Sequence, residues 1–214
     1  MTDLATDTPA TTDTPATTDT PAASLGASSG ERAASREAVR EAAAREDSKH
    51  ARVIRSARDG RILSAIMLPF FMLRPPRDYG VLTTTGRRTG KRRRKCVRIV
   101  RRGDRAYLLM LRPPTIAVER PDAVAAWVWN LRSDPRVELR LPGGTFNGTA
   151  RELQDSGELE QARRALCESV TWFNYGECDL HVRGLPTRAK IEDLHRYWFD
   201  TGVPFAIELG GETP

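Results

Sequence analysis

Ten lysine and arginine residues crowd between Arg87 and Arg102, inside the stretch LTTTGRRTGKRRRKCVRIVRRGD that runs from Leu82 to Asp104. Gly86 and Gly90 stand four apart just ahead of the densest part, directly after a β-branched run. A turn of that kind can aim successive backbone N–H groups into one concavity, a seat for phosphate oxygens. Arg87, Arg88, Lys91 and Arg93 would add charge around it, and Thr89 a hydroxyl. Guanidinium forks grip phosphate and carboxylate oxygens bidentately. The Gly-Lys-Ser/Thr order of a Walker loop is missing. A solvated basic hairpin is the plain alternative.

Two other anionic partners compete for this charge. A run of cations binds DNA or RNA by counterion release, but specific readers add a recognition helix, a zinc module or aromatic platforms. The stretch from Leu82 to Asp104 contains no aromatic residue, so no specific nucleic-acid partner is expected. The third candidate is an acidic membrane surface. RILSAIMLPFFMLRPP, Arg61 to Pro76, is too short to span a bilayer. It reads as a helix docked on the core, or as an amphipathic anchor with peripheral membrane contact through residues 61–74, where Arg61 and Arg74 flank apolar Leu, Met and Phe.

Elsewhere the residue types offer little chemistry. Cys96, Cys167 and Cys178 form no close pair, which argues against a disulfide framework and for a reducing cytoplasm. No Cys or His pair has zinc-ligand spacing, so no metal is expected. No basic stretch followed by an apolar run marks a signal peptide.

The elements that must position the basic turn read as strands. YGVLTTTG, KCVRIVRR and RAYLLML form strands, the last two joined as a hairpin through Arg102-Gly103-Asp104. RPPTIAVERP reads as a loop because of its prolines. PDAVAAWVWNLRSDP reads as a short helix from Pro121 to Asp134, and RVELRLPGGTFNGTARELQ as a second hairpin about Gly143-Gly144. Helices are expected from Ser156 to Ser169 and from Thr187 to about Asp200, then a last strand in GVPFAIELGG. Strand pairs with short helices between them make a β-rich α+β fold, an antiparallel sheet or small barrel. Ahead of it, residues 31–76 read as a helical extension, its first part rich in Ala, Glu and Arg to Asp59. Residues 1–30 repeat a Thr-Asp-Thr-Pro-Ala unit, a composition that cannot offset chain entropy and reads as a disordered tail. That leaves 77–214 as the folded domain. The net charge of +6 in 214 residues speaks to partners and not to fold.

Two segments carry a resemblance. LTTTGRRTGKRRRKCVRIVRRGDRAYLL, Leu82 to Leu109, resembles the strand–turn–strand signature of the deazaflavin-dependent nitroreductase family, and AWVWNLRSDPRVELRL, Ala126 to Leu141, resembles that family's Trp-x-x-Asn-Leu-x-x-x-Pro block. The resemblance implies a small split β-barrel of mostly antiparallel strands with flanking helices. It also implies coenzyme F-420, an 8-hydroxy-5-deazaflavin bearing a phosphodiester and a polyglutamate tail; a flavin such as FMN is the alternative. The implied reaction is hydride transfer to a small electron-poor or unsaturated acceptor, as in nitroreductases and quinone reductases. By the same resemblance Arg87, Arg88, Thr89, Gly90, Lys91 and Arg93 cradle the phosphate end, and Trp127 and Asn130 lie along the deazaflavin; Trp127 also fits the core. Tyr107, Tyr175 and His181 are candidate proton donors, with Tyr175 favoured for its place in the aromatic cluster TWFNYGECDLH. The sequence departs from the family at Cys96, at Ala125 and in the glycine-free loop MLRPPTIAVERPDA. An accessory protein that binds without turnover is therefore the second reading, and a homodimer is left open.

Overall fold

The computed structural model describes residues 41, 45, 57–112 and 114–212. The tail expected over 1–30 lies outside the described residues, as does the helix expected from Glu31 to Asp59 apart from Glu41, Arg45 and its end from Ala57.

Six strands close into one barrel: β1 (Tyr79–Thr85), β2 (Arg92–Arg102), β3 (Arg105–Met110), β4 (Arg136–Leu141), β5 (Gly144–Glu152) and β6 (Val203–Glu212). Their order around the barrel is β1-β2-β3-β6-β5-β4, with every neighbouring pair antiparallel. Period-two alternation decides which side chains turn inward. Leu82, Val97, Ile99, Ala106, Leu108, Val137, Leu139, Phe205 and Ile207 share the barrel core. Glu138 and Arg140 point the other way between their buried neighbours. Gly80 lets β1 and β4 approach, since a Cβ there would lie 2.5 Å from the Arg140 carbonyl oxygen.

The outward residues of the same strands carry the helices. Val100, Tyr107, Leu109 and Ala206 are covered by Leu166, Ile191, Leu194 and Trp198. The helices, numbered in chain order, are α1 (Ala57–Leu73), α2 (Pro114–Glu119), α3 (Ala126–Ser133), α4 (Ser156–Glu168), α5 (Trp172–His181) and α6 (Arg188–Thr201); Leu166 lies on α4, and Ile191, Leu194 and Trp198 on α6. Asp155 caps α4 through the Glu158 amide, and Thr187 caps α6 through the Lys190 amide. Helix α1 runs through Pro69 and docks on β1, with Phe71 buried against Tyr79 and Val81. No helix among the described residues is long and apolar enough to cross a membrane.

Three expectations need correction. The segment after β3 is not all loop: residues 114–119 form α2, with Pro114 at its first position, where a missing N–H costs nothing. The next helix begins at Ala126 rather than Pro121. Arg112 Nε grips the Ala123 carbonyl at 3.0 Å, which withholds that acceptor from a helical bond. Residues 172–181 form a helix, α5, that the sequence reading left unassigned. The Asn174 side chain accepts from the Thr171 amide at 2.7 Å and closes its first turn.

Candidate functional site

Strand β1 ends at Thr85 and β2 begins at Arg92, so Gly86 to Lys91 form the turn. The Gly86 amide donates to the Lys91 carbonyl at 2.9 Å, while the Gly86 carbonyl accepts from Thr89 at 3.1 Å and Gly90 at 2.7 Å. The Lys91 amide donates to Thr89 Oγ1 at 3.4 Å. The Arg87 amide donates to Asn130 Oδ1 at 3.1 Å. Gly90 sits at φ 64°, a conformation glycine adopts without steric cost. The expected cradle of backbone amides is thereby corrected. Gly86, Arg87, Thr89, Gly90 and Lys91 all spend their N–H groups inside the protein: two on the Gly86 carbonyl, one on the Lys91 carbonyl and the others on the side chains of Asn130 and Thr89.

Side-chain charge is what the turn offers. Every residue from Arg87 to Arg94 is exposed. Of the cations in that interval, Arg92 alone has a carboxylate partner among the described residues, Glu138 at 2.6 Å. Arg93 stands opposite Thr84 in the ladder. Alternation places it on the face of Val97 and Ile99, beyond the end of the core, and its Nε lies 3.5 Å from where a Gly86 Cβ would be. Arg87, Arg88, Lys91 and Arg93 are therefore gathered at one end of the barrel without neutralising partners among the described residues.

Helix α3 braces this turn. Besides holding the Arg87 amide, Asn130 donates through Nδ2 to Thr84 Oγ1 at 3.2 Å, so both ends of its side-chain amide are occupied. Trp127 is only 9% exposed and packs 5.4 Å from the Phe205 ring, inside the barrel. Trp129 is the residue the sequence reading missed. It is 44% exposed, with the Arg87 guanidinium 5.6 Å from its ring centre and that of Arg132 at 4.9 Å. Arg132 is held in turn by two bonds to Glu152, at 2.6 and 3.0 Å. Helical spacing gave the hint, since Trp127, Val128 and Leu131 are the buried set of α3 and leave Trp129 outside.

The proposed proton donors are not brought to the turn. Tyr175 lies on α5, 40% exposed. That helix sits at the far end of β1, where Tyr79 donates to Glu177 and accepts from Asn174 Nδ2 at 2.7 Å. From Tyr79 to Thr85 is six strand steps, about 20 Å. Tyr107 is buried, its hydroxyl 3.5 Å from Gln161. His181 packs edge-on to Trp198, and burial pulls its pKa down to about 4.

Behind β1 and β2 lies a polar group with no sequence signature. Arg98 donates to the Ser169 carbonyl at 2.9 Å and meets His195 Nδ1 at 3.3 Å. His195 is 2% exposed; burial, then Arg98, pull its pKa down to about 3. Burial raises both Glu177 and Tyr79. All three cysteines are free, and burial pushes their thiols up, away from the thiolate. No group of three metal-ligating side chains occurs among the described residues. A concavity of about 330 Å³ lies beside Tyr107 and Gln161, and another of about 500 Å³ beside Arg132 and Glu152. Neither is lined by a residue of the turn.

Residues 73–186 match the family described as F420H(2)-dependent quinone reductase. No curated protein matches. Among solved structures, an F420-H2 dependent reductase (FDR-A) shares 20% identity over 62% of this chain and 95% of its own, at a TM-score of 0.38. A conserved hypothetical protein of Mycobacterium tuberculosis shares 18% over 69% and 81%, at 0.42. A heme binding protein of Mycobacterium smegmatis shares 17% over 62% and 46%, at 0.41. Likeness that distant carries no weight for ligand or reaction. The family match spans more than half of the chain and contains the whole basic turn with its brace: the protein belongs to the F420H(2)-dependent quinone reductase family.

Proposed function

We propose that this protein is an oxidoreductase that binds coenzyme F-420 by its anionic end at the β1–β2 turn and reduces a quinone or another small electron-poor acceptor, nitroaromatics included. The observation that carries this reading is the exposed set Arg87, Arg88, Lys91 and Arg93, which lacks carboxylate partners among the described residues and lies within the matched segment. Those residues fit a phosphodiester and a run of glutamate carboxylates, since charge-assisted bonds are the strong ones. The Thr89 hydroxyl adds a neutral donor, and Gly90 gives the turn its shape. Asn130 acts as the brace and Trp127 as its anchor in the core, both through α3 rather than by touching the ring. When bound, the reduced coenzyme supplies a hydride to the acceptor. The folded unit is residues 77–214 with α1 docked on it, and free thiols suit a reducing cytoplasm. As proton donor Tyr175 would have to serve the ring end of the coenzyme, since its helix stands about 20 Å along β1 from the turn proposed for the anionic end.

One observation favours a second reading. The segment from the end of β3, residues 110–123, contains no glycine, and glycine-free backbone approaches a flat ring less readily, which suits a protein that holds the coenzyme without turning it over. Mixing the protein with reduced coenzyme and a panel of quinones and nitroaromatics separates the two. Recovery of the oxidised deazaflavin absorbance at a rate proportional to enzyme supports the oxidoreductase. Tight binding with no acceptor-dependent oxidation overturns it.

Trp129→Ala should loosen Arg87 and weaken coenzyme binding about 2–5-fold, the scale of one exposed cation–π contact. Trp129→Phe should keep most of the affinity. Titration of the deazaflavin fluorescence measures both, and equal affinity in Trp129→Ala and wild type contradicts the brace.

A further inference from the structure

Helix α1 is apolar on two faces. Its inner face buries Phe71, with Met67, Leu68 and Met72 partly covered, against Tyr79 and Val81. On the outer face Ile62 is 50% exposed, Ile66 68%, Phe70 47% and Leu73 80%. Spacings of four, four and three put these side chains in one stripe, about 17 Å long at the helical rise. Beneath the stripe, the buried Phe71 links α1 to the neighbouring helix α5. Phe70 meets Phe71, Phe71 meets Phe173, and Phe173 meets Trp172, at 6.0, 5.7 and 5.6 Å between ring centres. Trp172 itself is 72% exposed. An exposed apolar stripe with a second exposed aromatic side chain on the helix packed beside it marks an interaction site.

Charge around the patch selects the partner. Arg58 and Arg61 are exposed at one end of the stripe, Arg74 and Arg77 at the other. Alternation along β2 turns Arg94 to the same outward side as Cys96, whose amide donates to Ser64 of α1 at 2.9 Å. The one carboxylate of the helix is Asp59. A second copy docked face to face would press these arginines against their counterparts, a like-charge contact that penalises association. An anionic bilayer supplies what the face lacks: headgroup charge for the arginine rim, an apolar layer for the stripe and an interface for the indole of Trp172. With Pro69 inside it and 17 residues in length, α1 lies on such a surface and does not cross it. We infer that the outer face of α1, together with Trp172, docks this protein on an anionic lipid surface.

The test uses the full chain without coenzyme, so its outcome is independent of the hydride-transfer reading. Co-sedimentation with phosphatidylglycerol–phosphatidylcholine vesicles is compared with pure phosphatidylcholine vesicles. The protein should bind the anionic vesicles about tenfold or more tightly than the neutral ones, as several arginines near a charged surface require. Tryptophan emission should shift to the blue on binding, and Trp172→Phe should remove most of the shift. Ile66→Glu with Leu73→Glu, both on exposed positions, should lower binding by about tenfold or more while the circular dichroism spectrum stays unchanged. Three results would overturn the inference. The protein fails to sediment with anionic vesicles; the double variant binds them as well as wild type, leaving the basic turn as the contact; or wild type is a dimer that the double variant dissociates, which makes a second copy the occupant.

Discussion

Lys91→Ala combined with Arg93→Ala should weaken binding of coenzyme F-420 by roughly 1–3 kcal/mol, about 5- to 150-fold, the range for hydrogen bonds to charged groups. The turn's own geometry makes this the largest loss expected at the site. Gly86, Arg87, Thr89, Gly90 and Lys91 already commit their amides to acceptors inside the protein, so the backbone holds little in reserve when side-chain charge is removed. Both side chains are exposed and neither has a carboxylate partner among the described residues. Their removal therefore leaves no buried charge behind, and the thermal midpoint should stay close to wild type. Fluorescence titration of the deazaflavin reads the affinity. A double variant that binds as tightly as wild type means the anionic end sits elsewhere.

Acid should unfold the protein earlier than its surface carboxylates alone would suggest. His195 and His181 are held neutral, with pKa values pulled down to about 3 and about 4 by burial, and at His195 by Arg98 and Arg196 as well. In the unfolded chain both titrate near 6.5. Below that pH the unfolded state takes up protons the folded state refuses, so the histidines' contribution, complete above 6.5, is lost as pH falls toward 4. Each can cost up to about 1.4 kcal/mol per pH unit. Glu177 works the other way: burial raises it, so the folded state gains protons first and recovers stability on acidification. Two histidines against one carboxyl leave a net loss on the order of a few kcal/mol between pH 6.5 and 4. Guanidinium unfolding across that window should show the midpoint falling steadily, with a shallower fall in His195→Asn. A flat profile would mean the histidines titrate normally.

The barrel was legible where period two is strict. Val137, Leu139 and Leu141 alternate with Glu138 and Arg140, and Val97 with Ile99, so the strands and their inner faces follow from the residues. Helix α5 was not, because Trp172, Phe173 and Tyr175 are residues that strands also favour, and Thr171 with Asn174 departs from the usual Ser/Thr with Glu/Gln start. At the site, the charge of the turn and its glycine could be read directly. Where the Arg87 amide points could not, since that depends on Asn130, 43 residues away. For Trp129, helical spacing hinted at its exposure, but its partners could not be read for a similar reason. Its contacts with Arg87 and Arg132 exist only once α3 packs beside the turn. For Tyr175 the chemistry of the side chain could be read, but the place of its helix at the other end of β1 from the turn could not.

We propose above that side-chain cations of the β1–β2 turn hold the anionic end of the coenzyme. The most direct test is titration of the wild-type protein, at low and high salt, with intact coenzyme F-420 and with a deazaflavin that lacks the phosphodiester and glutamate tail. Intact coenzyme should bind at least about tenfold tighter at low salt, and added salt should erode this advantage by screening exposed charge. Equal affinity for the two ligands at low salt would contradict it.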